Sequence, residues 1–227
     1  MIYSQFESIM TPVRMNRYIT ACQGNTKKAM TLYRLNLRLS QELFTVISCF
    51  EVALRNAINN QGVKTFGNHW LKSSVSPNGI FDNPRCIHTA TSIREALKKL
   101  NHSYTHNKLV AELGFGFWRY MFAPQQYKAT RKVLLDIFPA KPISTPVLQY
   151  NQKYIFKQLV KVNNIRNRIA HHEPICFKPN KPIKDSSYTR LHYILICQLF
   201  QWMNIDETAL LYGLDHIDTI CKKIDDL

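Results

Sequence analysis

From Thr26 to Gln61 the chain has neither proline nor glycine, and Leu32, Leu35, Leu39, Leu43, Phe50 and Leu54 recur at steps of three, four and seven. That is the period of one buried face on an α-helix. Unbroken, such a helix is about 50 Å long at 1.5 Å of rise per residue. A rod with an apolar stripe of that length is covered most simply by other helices, so the stretch predicts an all-α fold. The rest of the chain agrees, because 7 glycines in 227 residues and few turn clusters argue against a β-rich architecture.

Helix punctuation divides what remains. Thr11-Pro12 places a hydroxyl cap before a proline at the first helical position, and Gly24-Asn25 stops that helix beyond about Ala21. Thr26 can cap the long helix. Residues 73–84 form a loop by composition. Further helices are expected near 85–101, 106–122, 124–136, 146–172, 185–203, 206–213 and 215–225. A connector from Pro139 to Pro146 and a basic loop over 176–184 separate some of them. The helix opened by Pro146 ends before Pro174. With no repeat, low-complexity tract or linker, 1–227 reads as a single domain. The patch Phe115, Phe117, Trp118, Tyr120, Met121 and Phe122 reads as core, with a base-stacking platform as the alternative.

Composition narrows the function. A hydrophobic fraction of 45%, with 12 Phe and 11 Tyr, excludes a disordered chain. No apolar run reaches the roughly 18 residues needed to span a bilayer. The first residues lack a signal pattern. A soluble, cytoplasmic protein is expected, with no membrane partner. Lys and Arg number 30 against 15 acidic residues, a formal charge of +15, which favours a polyanionic partner and above all nucleic acid. Cys22, Cys49, Cys86, Cys176, Cys197 and Cys221 form no C-x-x-C pair and read as reduced thiols. No metal and no cofactor are expected.

The chemistry concentrates in Asn164-Ile165-Arg166-Asn167-Arg168-Ile169-Ala170-His171-His172-Glu173-Pro174. Leu148, Ile155, Leu159, Val162 and Ile169 make an apolar stripe, and Arg166 projects from its middle. A guanidinium there is costly unless it is paired or faces a cleft. Asn163, Asn167 and His171 form a polar row at i, i+4 and i+8. Arginine offers a fixed fork of donors to phosphate, and histidine exchanges protons near neutral pH. On one ideal helix Arg166 and His171 are about 140° apart. A two-fold axis would bring one copy of each together, because an isologous interface presents the same patch twice.

Arg166-Asn167-Arg168-Ile169-Ala170-His171 matches the R-x4–6-H motif of HEPN domains, and Ile165 to Pro174 resembles the Abi-like (abortive infection) proteins. Ala29 to Asn36, Phe50 to Ile58 and Gly114 to Trp118 extend the resemblance over roughly residues 10 to 200. It implies a HEPN-like helical bundle with additional helices, a homodimer with a shared cleft, and metal-independent endoribonuclease activity in phage defence or a toxin–antitoxin system. Carried over, Arg166 and His171 are the catalytic pair and Asn167 follows the arginine. His172 fits an R-x5-H count and leaves the register open, although it points about 100° from His171 and can instead cap the helix. Arg168 is expected as a solvated charge or RNA backbone contact, with Lys161 and Lys178 as further RNA-binding candidates. Glu51 and Arg55 read either as an i, i+4 surface ion pair or as polar support for Arg166 and His171. His69, His88, His102, His106, His192 and His216 lack supporting neighbours. The restraining partner of a toxin would be an acidic antitoxin protein or an inhibitory RNA. The competing reading is a non-catalytic RNA-binding or scaffold protein of the same fold.

Overall fold

A computed structural model describes residues 1–227 as twelve α-helices with no sheet. They are α1 (Tyr3–Met10), α2 (Pro12–Ala21), α3 (Thr26–Phe66), α4 (Trp70–Ser73), α5 (Ile87–Leu100) and α6 (His106–Glu112). These are followed by α7 (Phe115–Tyr120), α8 (Pro124–Ala129), α9 (Gln152–Ala170), α10 (Ser187–Trp202), α11 (Glu207–Leu210) and α12 (Ile217–Asp225). One isolated antiparallel bridge joins Phe177 and Lys184. No helix is long and apolar enough to cross a membrane.

The chain gathers into two compact units. The first holds Met1–Ser48, Asn164–Cys197 and Glu207–Leu227; the second holds Cys49–Asn163 and Gln198–Asp206. In the first unit the front of α3 buries Leu32, Leu35, Leu39 and Leu43, and α12 buries Ile217, Ile220, Cys221 and Ile224. Tyr18 of α2 lies between two rings, with centroids 5.1 Å from Tyr33 and 5.0 Å from Phe177. Aromatic pairs at this separation stabilise beyond the area they bury. In the second unit Phe50 packs edge-on to Phe200 at 5.3 Å and near Phe115 at 6.3 Å. Phe115, Trp118, Met121 and Phe122 are buried as the core reading of the aromatic patch requires, whereas Phe117 is half-buried and Tyr120 exposed.

Several boundaries differ from those expected. The helix placed at Pro146 begins at Gln152, where Asn151 accepts the Tyr154 N–H at 3.1 Å as a side-chain cap. Ser144 and Thr145 side chains hold the preceding segment by accepting the Tyr150 and Leu148 N–H groups, the local competition by which short polar side chains oppose helix. Leu148 therefore lies outside the helix and does not continue the apolar stripe. The helix expected over 106–122 breaks at Gly114, and the Leu113 carbonyl accepts the Trp118 indole N–H at 2.7 Å. The one near 124–136 ends at Ala129, where Arg131 and Lys132 adopt positive φ, and continues as a 3-10 turn.

The histidines have more neighbours than expected. In the second unit His106 Nε2 donates to Asn59 Oδ1 at 2.7 Å, and its ring centroid is 6.1 Å from that of His69. Burial, helped by His69, holds the His106 pKa below the ordinary imidazole value. In the first unit His216 meets Glu42 at 3.4 Å.

Helix α3 also runs past Gln61 to Phe66 through Gly62. A β-carbon at Gly62 would fall inside the Trp70 indole. Trp70 is fully buried and its Nε1 donates to Asn59 at 2.9 Å, so the ring has nowhere to retreat. Gly62→Ala is therefore expected to destabilise the fold by about 1–3 kcal/mol despite the better helix propensity of alanine. Thermal unfolding of the variant checks this, and an unchanged or raised Tm would contradict it.

Candidate active site

The end of α9 is built by backbone geometry. The His172 N–H bonds to the Ile169 carbonyl at 2.9 Å, and the Glu173 N–H bonds to the Arg168 carbonyl at 2.8 Å. These are the two bonds of a Schellman motif, with His172 in the left-handed position at φ 56°. Glycine normally occupies that position, and a side chain there is strained. The strain is sustained from both sides of the turn. Arg168 reaches back to Glu173 at 3.2 Å and to the Pro174 carbonyl at 2.9 Å, and its guanidinium lies 4.9 Å from the centre of the Tyr188 ring. From α2, Arg14 donates to the His172 carbonyl at 3.0 Å. Arg168 is thus engaged within the chain, not the solvated charge its helical position suggested.

Beyond the turn, Ile175, Cys176 and Phe177 are buried. Both polar groups of the Ile175 peptide are met by side chains. Its N–H donates to Asn36 of α3 at 2.9 Å, and its carbonyl accepts from Thr189 of α10 at 2.8 Å. The turn is therefore fixed at its helix end and at its exit.

On this frame His171 and His172 are exposed, while Ile165 and Ile169 are buried. His171 and His172 line a cleft of about 410 Å³ together with Arg14, Arg17 and Tyr18 of α2 and with Glu173. Burial raises the Tyr18 hydroxyl far above its usual pKa, so it stays protonated. Arg17 donates to the carbonyls of Lys178 and Lys181 at 3.1 and 2.8 Å and covers the Phe177 ring at 4.6 Å. That contact folds the basic loop alongside the cleft. Reading the motif alone misses Arg14 and Arg17, which are 158 and 161 residues from the groups they touch. A signal was present, since Thr11-Pro12 starts a helix that puts Arg14 and Arg17 on one face at i, i+3.

Arg166 is half-buried, five residues before His171, about 7.5 Å along the helix axis. Its Nε is buried without a hydrogen-bond partner, and it takes part in no ion pair. It does not line the cleft that holds His171. Asn163 is half-buried and Asn167 exposed, so the polar row runs outward along α9. Lys161 and Lys178 are exposed. Glu51 and Arg55 belong to the second unit; both are half-buried, no ion pair closes between them, and Arg55 Nε is also buried and unpartnered. Of the two readings open for these residues, the surface ion pair does not form. No group of three or more His, Cys, Asp or Glu converges as a metal site, and all six cysteines are free.

The family model described as Abi-like protein matches residues 3–176. Neither the curated proteins nor the solved structures gave a match.

Two outcomes follow from the turn. His172→Gly removes the left-handed strain and is expected to leave stability equal or raise it by up to about 1 kcal/mol, whereas a clear loss would mean that the imidazole holds the turn. Asn36→Ala strands the Ile175 N–H in the interior and is expected to cost about 1–3 kcal/mol. Denaturant unfolding of both variants checks the pair.

Proposed function

This chain belongs to the Abi-like family, whose name points to abortive infection, and we propose that it is a HEPN-type endoribonuclease that restrains phage by cutting RNA. The observation that carries this reading is Arg166. A half-buried guanidinium with an unmet buried donor and no carboxylate partner is costly to keep for structure alone. It is the state expected of a group held ready for an anionic ligand. The exposed His171 lies on the same helix, on a turn whose backbone is tied on both sides.

The chemistry needs one base and one cation. His171 takes the proton of a ribose 2′-OH, and the freed oxygen attacks the adjacent phosphorus. Arg166 offsets the charge that grows on the non-bridging oxygens, a role worth several kcal/mol when preorganised. The bond to the 5′-oxygen breaks, and that oxygen receives its proton from a second His171 or from water. The products are a 2′,3′-cyclic phosphate and a 5′-hydroxyl. On one helix Arg166 and His171 face about 140° apart, so a two-fold homodimer supplies the complementary pair. Asn167 lies between them on α9, and Lys161 and Lys178 contribute to RNA binding. An acidic antitoxin protein or an inhibitory RNA restrains the enzyme in the cell.

Purified protein is expected to cleave RNA in excess EDTA, leaving 2′,3′-cyclic phosphate ends, and to leave DNA intact because DNA has no 2′-OH. His171→Ala is expected to keep its fold and RNA binding and to lose cutting by at least about a hundredfold, the usual contribution of a general base. Equal cutting by the two preparations would instead make the chain a binding or scaffold protein. His172→Ala is expected to cleave like the parent, and its inactivity with His171→Ala active would move the base to His172.

A further inference from the structure

The cleft between the first turns of α2 and the His171–Glu173 turn holds a concentration of cations that the cleavage step leaves unused. We propose that it is a binding site for a nucleotide phosphate group, with Arg14 as the principal ligand and Arg17 as its support. Identifying the natural ligand as the RNA chain rests on the cleavage reading; the binding itself does not.

Arg14 is exposed, and one arm of its guanidinium is aimed by the bond from Nη1 to the His172 carbonyl. A fork anchored at one nitrogen loses less freedom when the others engage a phosphate. Arg17 follows one turn later, held by Lys178 and Lys181 carbonyls and by the Phe177 ring. Those same contacts tether to Arg17 the loop that carries the exposed Lys178 and Lys181. Glu173 is the carboxylate at its edge, and Arg168 already engages it at 3.2 Å. The cleft opens at the N-terminal end of α2, where the helix dipole adds to the attraction for an anion. Thr11, which turns the chain into α2 there, has φ 71° and ψ 143°, a conformation a β-branched residue rarely adopts. Two arginines at one cleft, next to a loop rich in lysine, suit a phosphodiester better than a single carboxylate.

The test measures binding without cleavage. A fluorescent 2′-O-methyl RNA oligonucleotide, which lacks the attacking hydroxyl, is titrated with the full chain over a series of salt concentrations. Arg14→Ala is expected to weaken binding several-fold and to flatten the slope of log K against log salt by about 0.7, the single-strand value for one phosphate contact. Val13→Glu is the second variant. Val13 is 89% exposed at the cleft and lies in the first turn of α2, where a carboxylate favours the helix while repelling a phosphate. It is expected to weaken binding with no fall in Tm, which separates the proposal from misfolding. Lys223→Ala, on the exposed side of α12, controls for loss of one charge and is expected to change binding less than either.

Competition by 5′-AMP identifies the source. Displacement by the mononucleotide assigns the cleft to free nucleotides, and displacement only by oligonucleotide assigns it to the RNA chain; both support a phosphate site. Wild-type affinity and slope in both Arg14→Ala and Val13→Glu would overturn the proposal. So would Arg14-dependent binding of polyglutamate in the absence of oligonucleotide binding. A wild-type protein that binds through Arg14 but never cuts unmodified RNA would sink the nuclease reading and leave this one standing.

Discussion

The Ile175 peptide is the fastening on which the site depends. It is buried in the first unit, away from any helix that could satisfy it, and an unmet N–H or carbonyl there would cost about 1–3 kcal/mol each. Asn36 and Thr189 meet both groups from α3 and α10. The consequence reaches backward along the chain. Because residue 175 is pinned and α9 ends at Ala170, only four residues remain to reverse direction, and the Schellman turn is the compact way to do it. The exposure of His171 and His172 follows from that reversal. Interior hydrogen bonding sets the reversal, and the contacts of Arg14 and Arg168 at the surface hold it.

The turn also shows how a strained residue is retained. His172 stands where glycine would be cheaper, yet Arg168 grips the exit of the turn and Arg14 grips the carbonyl of the strained residue itself. Strain of this sort persists where surrounding structure over-determines the conformation. A glycine at the same place would satisfy φ but would enlarge the set of accessible turns in the unfolded chain. On the nuclease proposal the base is the preceding residue, His171, and a turn whose backbone is held fixed would limit its misplacement, which is expensive in rate.

Much of this was legible along the chain, and the losses have physical causes. The apolar period of α3 reported a buried face because all six spaced residues are indeed interior. Thr11-Pro12 and the stop near Gly24 reported α2, since caps act through neighbours in sequence. Pro146 is as good a helix opener as any in that stretch, and α9 starts later because Asn151 takes the capping role. The break at Gly114 depended on an indole bonding back to Leu113, which no periodicity records. Arg168 looked solvated on a helical wheel because its partners, Glu173, Pro174 and Tyr188, lie beyond the helix end. The shared face of Arg14 and Arg17 is readable from the sequence, but its place opposite His171 and His172 is not, because α2 meets the turn only after the chain has folded.

Charge pairing separates the structural cations from the others. With 15 acidic residues against 30 basic ones, carboxylates cannot answer every cation. The ion pairs of lysine and arginine involve Arg94, Lys99, Arg168 and Arg190, and each ties parts of one unit together. Arg190 takes both Asp218 and Asp225, clipping α10 to α12, and Arg94 joins Asp82 while also bonding the Val75 carbonyl. Arg14, Arg17, Arg55 and Arg166 receive no carboxylate. Arg14 and Arg17 instead take main-chain carbonyls, which fix the geometry of a guanidinium without neutralising it. Arg55, Arg119 and Arg166 each retain a buried donor that nothing meets, and Arg119 at least lies over the Phe156 ring. A chain that stabilised itself by neutralising its interior would have placed its scarce acids at Arg55 and Arg166. The acids clip helices elsewhere while half-buried guanidiniums stay without a carboxylate, and on the nuclease proposal the charge that answers Arg166 would come with the RNA.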